Sequence, residues 1–128
     1  IALLASDIGA VERFGYPLSG RARELAGKHW PGALTLVVGR EAFRIPDHEA
    51  IREICQLLDA PILTTTLPLE DGEDIEYITT PDLIEEKFGG EADLIIDGGI
   101  GGTEPSTVVN CTEGEAEIVR QGKGWLEE

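Results

Sequence analysis

Short apolar, β-branched runs alternate along this chain with stretches patterned for helices, and that alternation is what most constrains the fold. Leu34-Thr35-Leu36-Val37-Val38 is nearly continuous in apolar character, which marks a mostly buried strand. Pro61 leads into a second run, Ile62 to Thr66, and Leu94-Ile95-Ile96 reads as a short buried strand. Val108 to Asn110 and Ile118 to Arg120, joined through Glu113-Gly114-Glu115, read as a hairpin. Ile1 to Ala5 reads as a further strand, closed by Ser6-Asp7 at a turn or helix cap. Between these runs, Leu18 to His29 is helical in pattern, with Ser19 as a cap and Ala22, Leu25, Ala26 and His29 on one face. Trp30-Pro31-Gly32 stops that helix, and Trp30 is expected in the core. Asp47 is the expected N-cap of a second helix, whose Ile51, Ile54, Cys55 and Leu58 recur at the spacing of one buried face. Thr80-Pro81 places a hydroxyl before a first-turn proline, Leu83, Ile84 and Phe88 point inward, and Gly89-Gly90 closes the element. These signals predict one α/β domain with a mixed sheet flanked by helices.

The 128 residues suffice for one domain with a core. No apolar run reaches the ~20 residues of a membrane helix, and Ile1 to Ala5, a short apolar run without a basic flank, does not read as a signal peptide. The chain opens inside a strand and contains no Met, the expectation for a fragment or trimmed product. Its 25 acidic and 10 basic side chains give a net charge of −15, which repels nucleic acid at long range. Arg13, Arg21, Arg23 and Lys28 nevertheless fall in one early stretch that can form a local cationic patch. Cys55 and Cys111 have no metal-like spacing and read as reduced structural thiols of a cytoplasmic protein.

The segment carrying most chemistry is residues 98–110. Gly98, Gly99, Gly101 and Gly102 lead through Pro105 into the adjacent hydroxyls of Ser106 and Thr107, then into a β-branched strand. Glycines allow close backbone approach, hydroxyls and free N–H groups bind phosphate or carboxylate oxygens, and Arg120 supplies a positive fork ten residues past Asn110. Arg44 likewise borders a strand end beside a turn. Thr64-Thr65-Thr66 ends a strand, where ligands of α/β sheets gather, although threonine is also simply a good strand former. His29 and His48 are too far apart in sequence to suggest a metal pair, and no metal site is expected. The acidic stretch 70–76 reads as a solvated loop.

Taken in order, these motifs resemble the YrdC/YciO-like family of threonylcarbamoyl-adenylate synthases. Trp30-Pro31-Gly32-Ala33-Leu34-Thr35-Leu36 resembles W-P-G-P-L-T-L, and Arg44-Ile45-Pro46-Asp47-His48 resembles R-x-P-D-H. Pro61 to Thr66 resembles the strand before T-S-A-N. Asp97-Gly98-Gly99 with Pro105 to Asn110 resembles D-G-G followed by P-S-T-V-V-D, and Arg120-Gln121-Gly122 the closing R-x-G. The resemblance implies a YrdC-like twisted mixed sheet, here without the family's N-terminal part. It also implies synthesis of L-threonylcarbamoyl-AMP from ATP, L-threonine and bicarbonate, with release of pyrophosphate, for modification of tRNA at adenosine 37. Arg44, Thr66, Ser106 and Arg120, supported by Thr65 and Thr107, would meet the nucleotide, with Mg2+ sharing the phosphate charge. Binding of tRNA or double-stranded RNA is a further implication.

Departures sharpen the choice. Thr65-Thr66-Leu67-Pro68 stands where the family has T-S-A-N, a change that resembles the YciO branch, and Asn110 replaces an aspartate. The link from Val38 to Arg44 is shorter than the family's. Two other readings follow: a non-catalytic nucleotide- or RNA-binding protein on the same fold, and a YrdC-like domain of a larger carbamoyltransferase.

Overall fold

The structure, a computed structural model, describes residues 2–15, 17–18, 20–102, 104–112, 116–124 and 126. The expected cap Ser19, the hairpin link Glu113 to Glu115 and the chain-end Trp125 lie outside the described residues. Two compact units are present, Ile1–Thr65 with Pro105–Glu128, and Thr66–Glu104.

The first unit holds the sheet. Its elements are β1 (Ala2–Leu4), α1 (Ile8–Phe14), α2 (Gly20–His29), β2 (Leu34–Val38), β3 (Glu41–Arg44), α3 (Glu49–Leu58), β4 (Ile62–Thr64), β5 (Thr107–Asn110) and β6 (Glu117–Arg120). The six strands run in the order β4-β1-β3-β2-β5-β6. β1 with β3 and β2 with β5 are parallel, and the other neighbours are antiparallel, so the sheet is mixed as expected. One face is apolar because Leu3, Phe43, Leu36, Val109 and Ile118 fall in one register row. Phe43, Leu36 and Val109 are fully buried there, with Val11 of α1 and Leu25 and Ala26 of α2 in the same core. Trp30 joins that core and donates its indole N–H to the Leu34 carbonyl at 2.7 Å. Asp7 caps α1, its carboxylate accepting from Ala10 N–H at 2.8 Å.

Several expectations change. β3 has little strand signal in its sequence; it forms because Phe43 pairs with Leu36 and fills the core. The N-cap of α3 is His48, whose Nδ1 accepts from Ile51 N–H, one residue after the expected Asp47. Of the expected buried face of α3, only Cys55 is buried, and Leu58 is 61% exposed. The helix leans on β1 through Cys55 against the Leu4 carbonyl and Arg52 on the Ser6 carbonyl, which covers only part of its apolar stripe. β4 stops at Thr64, so Thr65 and Thr66 are not in the strand.

The second unit holds a 3-10 turn, Ile75–Ile78, and α4 (Pro81–Phe88). Thr80 occupies the N-cap position and Pro81 opens the helix as expected, but the Thr80 hydroxyl makes no capping hydrogen bond, and Leu83, Ile84 and Phe88 are only half-buried. Within the acidic stretch, Glu73 is ion-paired with Lys87. Leu94 to Ile96 is not a buried strand: it lacks strand structure, and Leu94 and Ile96 are 75% and 63% exposed. A three-residue apolar run becomes a strand only with a ladder partner, and the described strands all belong to the first unit.

Candidate functional site

Strand order and register assemble the site. Leu4 pairs with Arg44, Thr35 with Val108, and Val108 with Arg120. Arg44 lies one residue beyond the Leu36–Phe43 pair and therefore opposite Thr35. Residues in register share a face, so Arg44, Thr35 and Val108 form one row on the face opposite the apolar core row, and an irregularity in the β5–β6 ladder between Val108 and Val109 sets Arg120 opposite Val108. Arg44 and Arg120, far apart in sequence, thus stand on either side of Thr35 and Val108 along the strand order.

Ser106, one residue before β5, enters this row through its side chain. Its Oγ is 2.7 Å from Thr35 Oγ1, and both residues are buried. Arg120 donates from Nε and Nη2 to the Ser106 carbonyl at 3.1 and 2.9 Å. Thr107 N–H donates to the Ala33 carbonyl at 2.9 Å, and Thr107 Oγ1 accepts from Gly122 N–H at 2.9 Å. Lys123 N–H donates to the Pro105 carbonyl. The turn entering β5 is thus held from both neighbouring strands, and the fully buried Thr107 hydroxyl is engaged within the fold.

Arg44 differs from Arg120. Its Nε is buried and has no hydrogen-bond partner among the described residues. Burial pushes the Arg44 guanidinium below its ordinary value, yet a guanidinium keeps its charge in proteins. A half-buried cation with an orphaned donor is a site that an anion completes. A hollow lined by Asp7, Ile8, Trp30, Pro31, Ile45 and Arg52 opens beside Ile45, the residue that follows Arg44.

Of the residues singled out from the sequence, Arg44, Ser106, Thr107 and Arg120 are brought together at that end. Thr65 is not: Thr64 pairs with Ala2, two residues back along β1 from the Leu4–Arg44 pair, so Thr65 leaves the other end of the sheet. Thr66 is exposed in the second unit. Of the glycine-rich turn, Gly98 to Gly102 belongs to the second unit, where Gly99 (φ 93) donates its N–H to Asp97 Oδ1. Thr35 is the residue the sequence reading passed over; a single hydroxyl within an otherwise apolar strand was its signal.

The early basic stretch is largely neutralised by its own neighbours. Arg13 pairs with Asp59, Arg21 with Glu24, and Arg23 with Glu12. Among the described residues no cluster of three or more His, Cys, Asp or Glu can hold a metal ion, and no helix is long and apolar enough to cross a membrane.

Comparison with known proteins places this geometry. The Sua5/YciO/YrdC family model, described as telomere recombination, matches residues 1–122. YciO of Escherichia coli is 33% identical over 81 residues, 63% of this chain and 38% of that protein. Its crystal structure superposes with a TM-score of 0.83 at 24% identity, covering 97% of this chain and 66% of the other. A threonylcarbamoyl-AMP synthase of Pseudomonas putida is 32% identical over 114 residues, 77% of this chain and 58% of that protein. The crystal structure of P. abyssi Sua5 complexed with L-threonine gives a TM-score of 0.77 at 26% identity, covering 94% of this chain and 40% of that one. The chain therefore spans between a third and two thirds of the length of these relatives.

Proposed function

The chain belongs to the Sua5/YciO/YrdC family, and from that premise we propose that it supplies one wall of the substrate site of a threonylcarbamoyl-AMP synthase-like protein. The observation that carries this reading is the Arg44–Thr35–Ser106–Arg120 row, with the buried Nε of Arg44 left without a partner. Such a row suits a ligand with carboxylate or phosphate oxygens. The L-threonine complex of Sua5 and the synthase name of the Pseudomonas relative support the choice of substrates.

In the proposed reaction, L-threonine and bicarbonate condense to N-carboxythreonine with loss of water. A carboxylate oxygen of that carbamate attacks the α-phosphorus of ATP, and the bond to pyrophosphate breaks. The chain contributes charge and orientation. Arg44 neutralises an anionic oxygen in a partly desolvated setting, where the attraction is worth more than in water. Ser106 donates a hydroxyl proton to the same ligand. Arg120 holds the Ser106 carbonyl with two N–H groups and leaves Nη1 for phosphate. Mg2+ finds no anionic ligand in this row, whose side chains offer only guanidinium and hydroxyl groups.

Isothermal calorimetry with L-threonine and ATP, followed by pyrophosphate release in the presence of bicarbonate, tests the reading. Saturable binding of both substrates and threonine-dependent pyrophosphate are expected. Absence of binding to either substrate overturns it.

One observation favours a second reading, binding without turnover. Thr65-Thr66-Leu67-Pro68 stands where the family has T-S-A-N, with Leu67-Pro68 in place of the last two residues, and Thr65 leaves the sheet at the end remote from Arg44. Substrate binding without pyrophosphate release is the outcome that reading expects. The ion-paired arginines of the early stretch argue against RNA as its ligand.

A further inference from the structure

We propose that Thr35 is a positioning residue of this site, whose hydroxyl fixes the direction in which Ser106 presents its proton to a bound anion. The inference rests on the reading above, in which Ser106 faces the ligand. Thr35 is 6% exposed in a strand whose other residues are all Leu or Val. Valine has the same shape and suits a buried strand at least as well, whereas a buried hydroxyl is unfavourable unless it is hydrogen-bonded. Its partner is Ser106, 71 residues away in sequence and 2.7 Å away in space.

The geometry gives the pair a polarity. Two hydroxyls in one hydrogen bond share one proton between them and leave the other free. A carboxylate or phosphate oxygen brings no proton, so its binding selects one arrangement: Thr35 donates to Ser106, and Ser106 donates to the anion. Threonine is β-branched and stiff at χ1, which makes Oγ1 a fixed post. Ser106 has a freer side chain, but its carbonyl is already gripped by Arg120. With backbone and hydroxyl both held, Ser106 is preorganised, and the chained hydrogen bonds polarise one another toward the ligand.

The test compares Thr35→Val, Thr35→Ser, Ser106→Ala and the Thr35→Val/Ser106→Ala double variant. L-Threonine and ATP are the calorimetric probes, and each variant's thermal midpoint is measured alongside. Thr35→Val is expected to weaken roughly tenfold, one hydrogen bond's worth, whichever probe Ser106→Ala weakens. Thr35→Ser should retain binding, and the double variant should bind no worse than Ser106→Ala alone. If Ser106→Ala weakens binding and Thr35→Val does not, the positioning role is overturned while the site reading stands. Additive losses in the double variant also overturn it, because Thr35 then acts independently of Ser106. If the unsubstituted protein binds neither probe, both readings fall. Should Thr35→Val not fold, Thr35→Ser against Thr35→Ala makes the same comparison.

Discussion

Gly122 passes so close to Ser106 that a β-carbon on it would lie 2.6 Å from the Ser106 carbonyl oxygen and would overlap the Pro105 carbonyl as well. Both obstacles are backbone, which cannot swing aside. The glycine of Arg120-Gln121-Gly122 is thus required by close approach, and its N–H is what Thr107 Oγ1 receives. Gly122→Ala should destabilise the protein by roughly 1–3 kcal/mol, the usual cost of overpacking a tight site. It should also weaken ligand binding, because the displaced backbone carries Ser106. Denaturant unfolding and calorimetry on the same variant check the two effects.

Arg44→Met separates binding from stability. It keeps an unbranched apolar stem but removes a half-buried charge with an orphaned donor. Stability should stay within about 1 kcal/mol of the parent or rise, since an unpartnered buried charge is unfavourable to the fold. Affinity for an anionic ligand should fall by about 1.5–3 kcal/mol, the range of a hydrogen bond to a charged group. A large loss of stability with unchanged affinity would make Arg44 a structural residue.

The second unit has its own pH dependence. Hydrogen bonding from Lys87, assisted by the Glu70 backbone, holds the Glu73 carboxyl below its ordinary value of 4.5. Its folded value is depressed, so its stabilising contribution is present above about pH 4.5 and is lost as pH falls through the lower folded value. A carboxyl NMR titration should place the Glu73 midpoint below that of an exposed glutamate. Lys87→Met should move it back up, and no movement would show that the pair is not formed in solution.

The cysteines give the opposite sign. Burial pushes the Cys55 and Cys111 thiols above their ordinary value of 9.0, with Arg21 partly opposing the shift at Cys111. The fold favours the protonated thiols, so their contribution is complete below about pH 9 and declines as pH rises through the folded values. Urea midpoints between pH 8 and pH 10.5 should fall less steeply for Cys55→Ala and Cys111→Ala than for the parent. Native protein should also react slowly with thiol reagents until denatured, because both thiols are buried.

Elements fixed by adjacent residues were legible in the sequence. β2 follows from five consecutive strand formers, α4 from Thr80-Pro81, and the β5–β6 hairpin from two β-branched runs around a turn. Elements that depend on distant partners were not. Glu41 to Arg44 is a strand only because Leu36 and Leu3 flank Phe43, while Leu94 to Ile96, with the stronger strand signal, has no ladder to join. The cap at His48 missed the expected Asp47 by one residue, the usual margin for a helix end.

The candidate site divides in the same way. The sequence alone determined the family, the mixed α/β sheet and the residue types an anion site needs: Arg44, Ser106 and Arg120 can all be named from local motifs. Tertiary structure decided which of them meet. Antiparallel pairing of β3 with β2 and parallel pairing of β2 with β5 bring Arg44 to the hydroxyls of Thr35 and Ser106, while antiparallel β4 carries Thr65 away. Register is a long-range property, set when an entire apolar row finds its core. That is why Thr35, a single hydroxyl in an apolar strand, finds its partner Ser106 only once residues 71 positions apart are packed against each other.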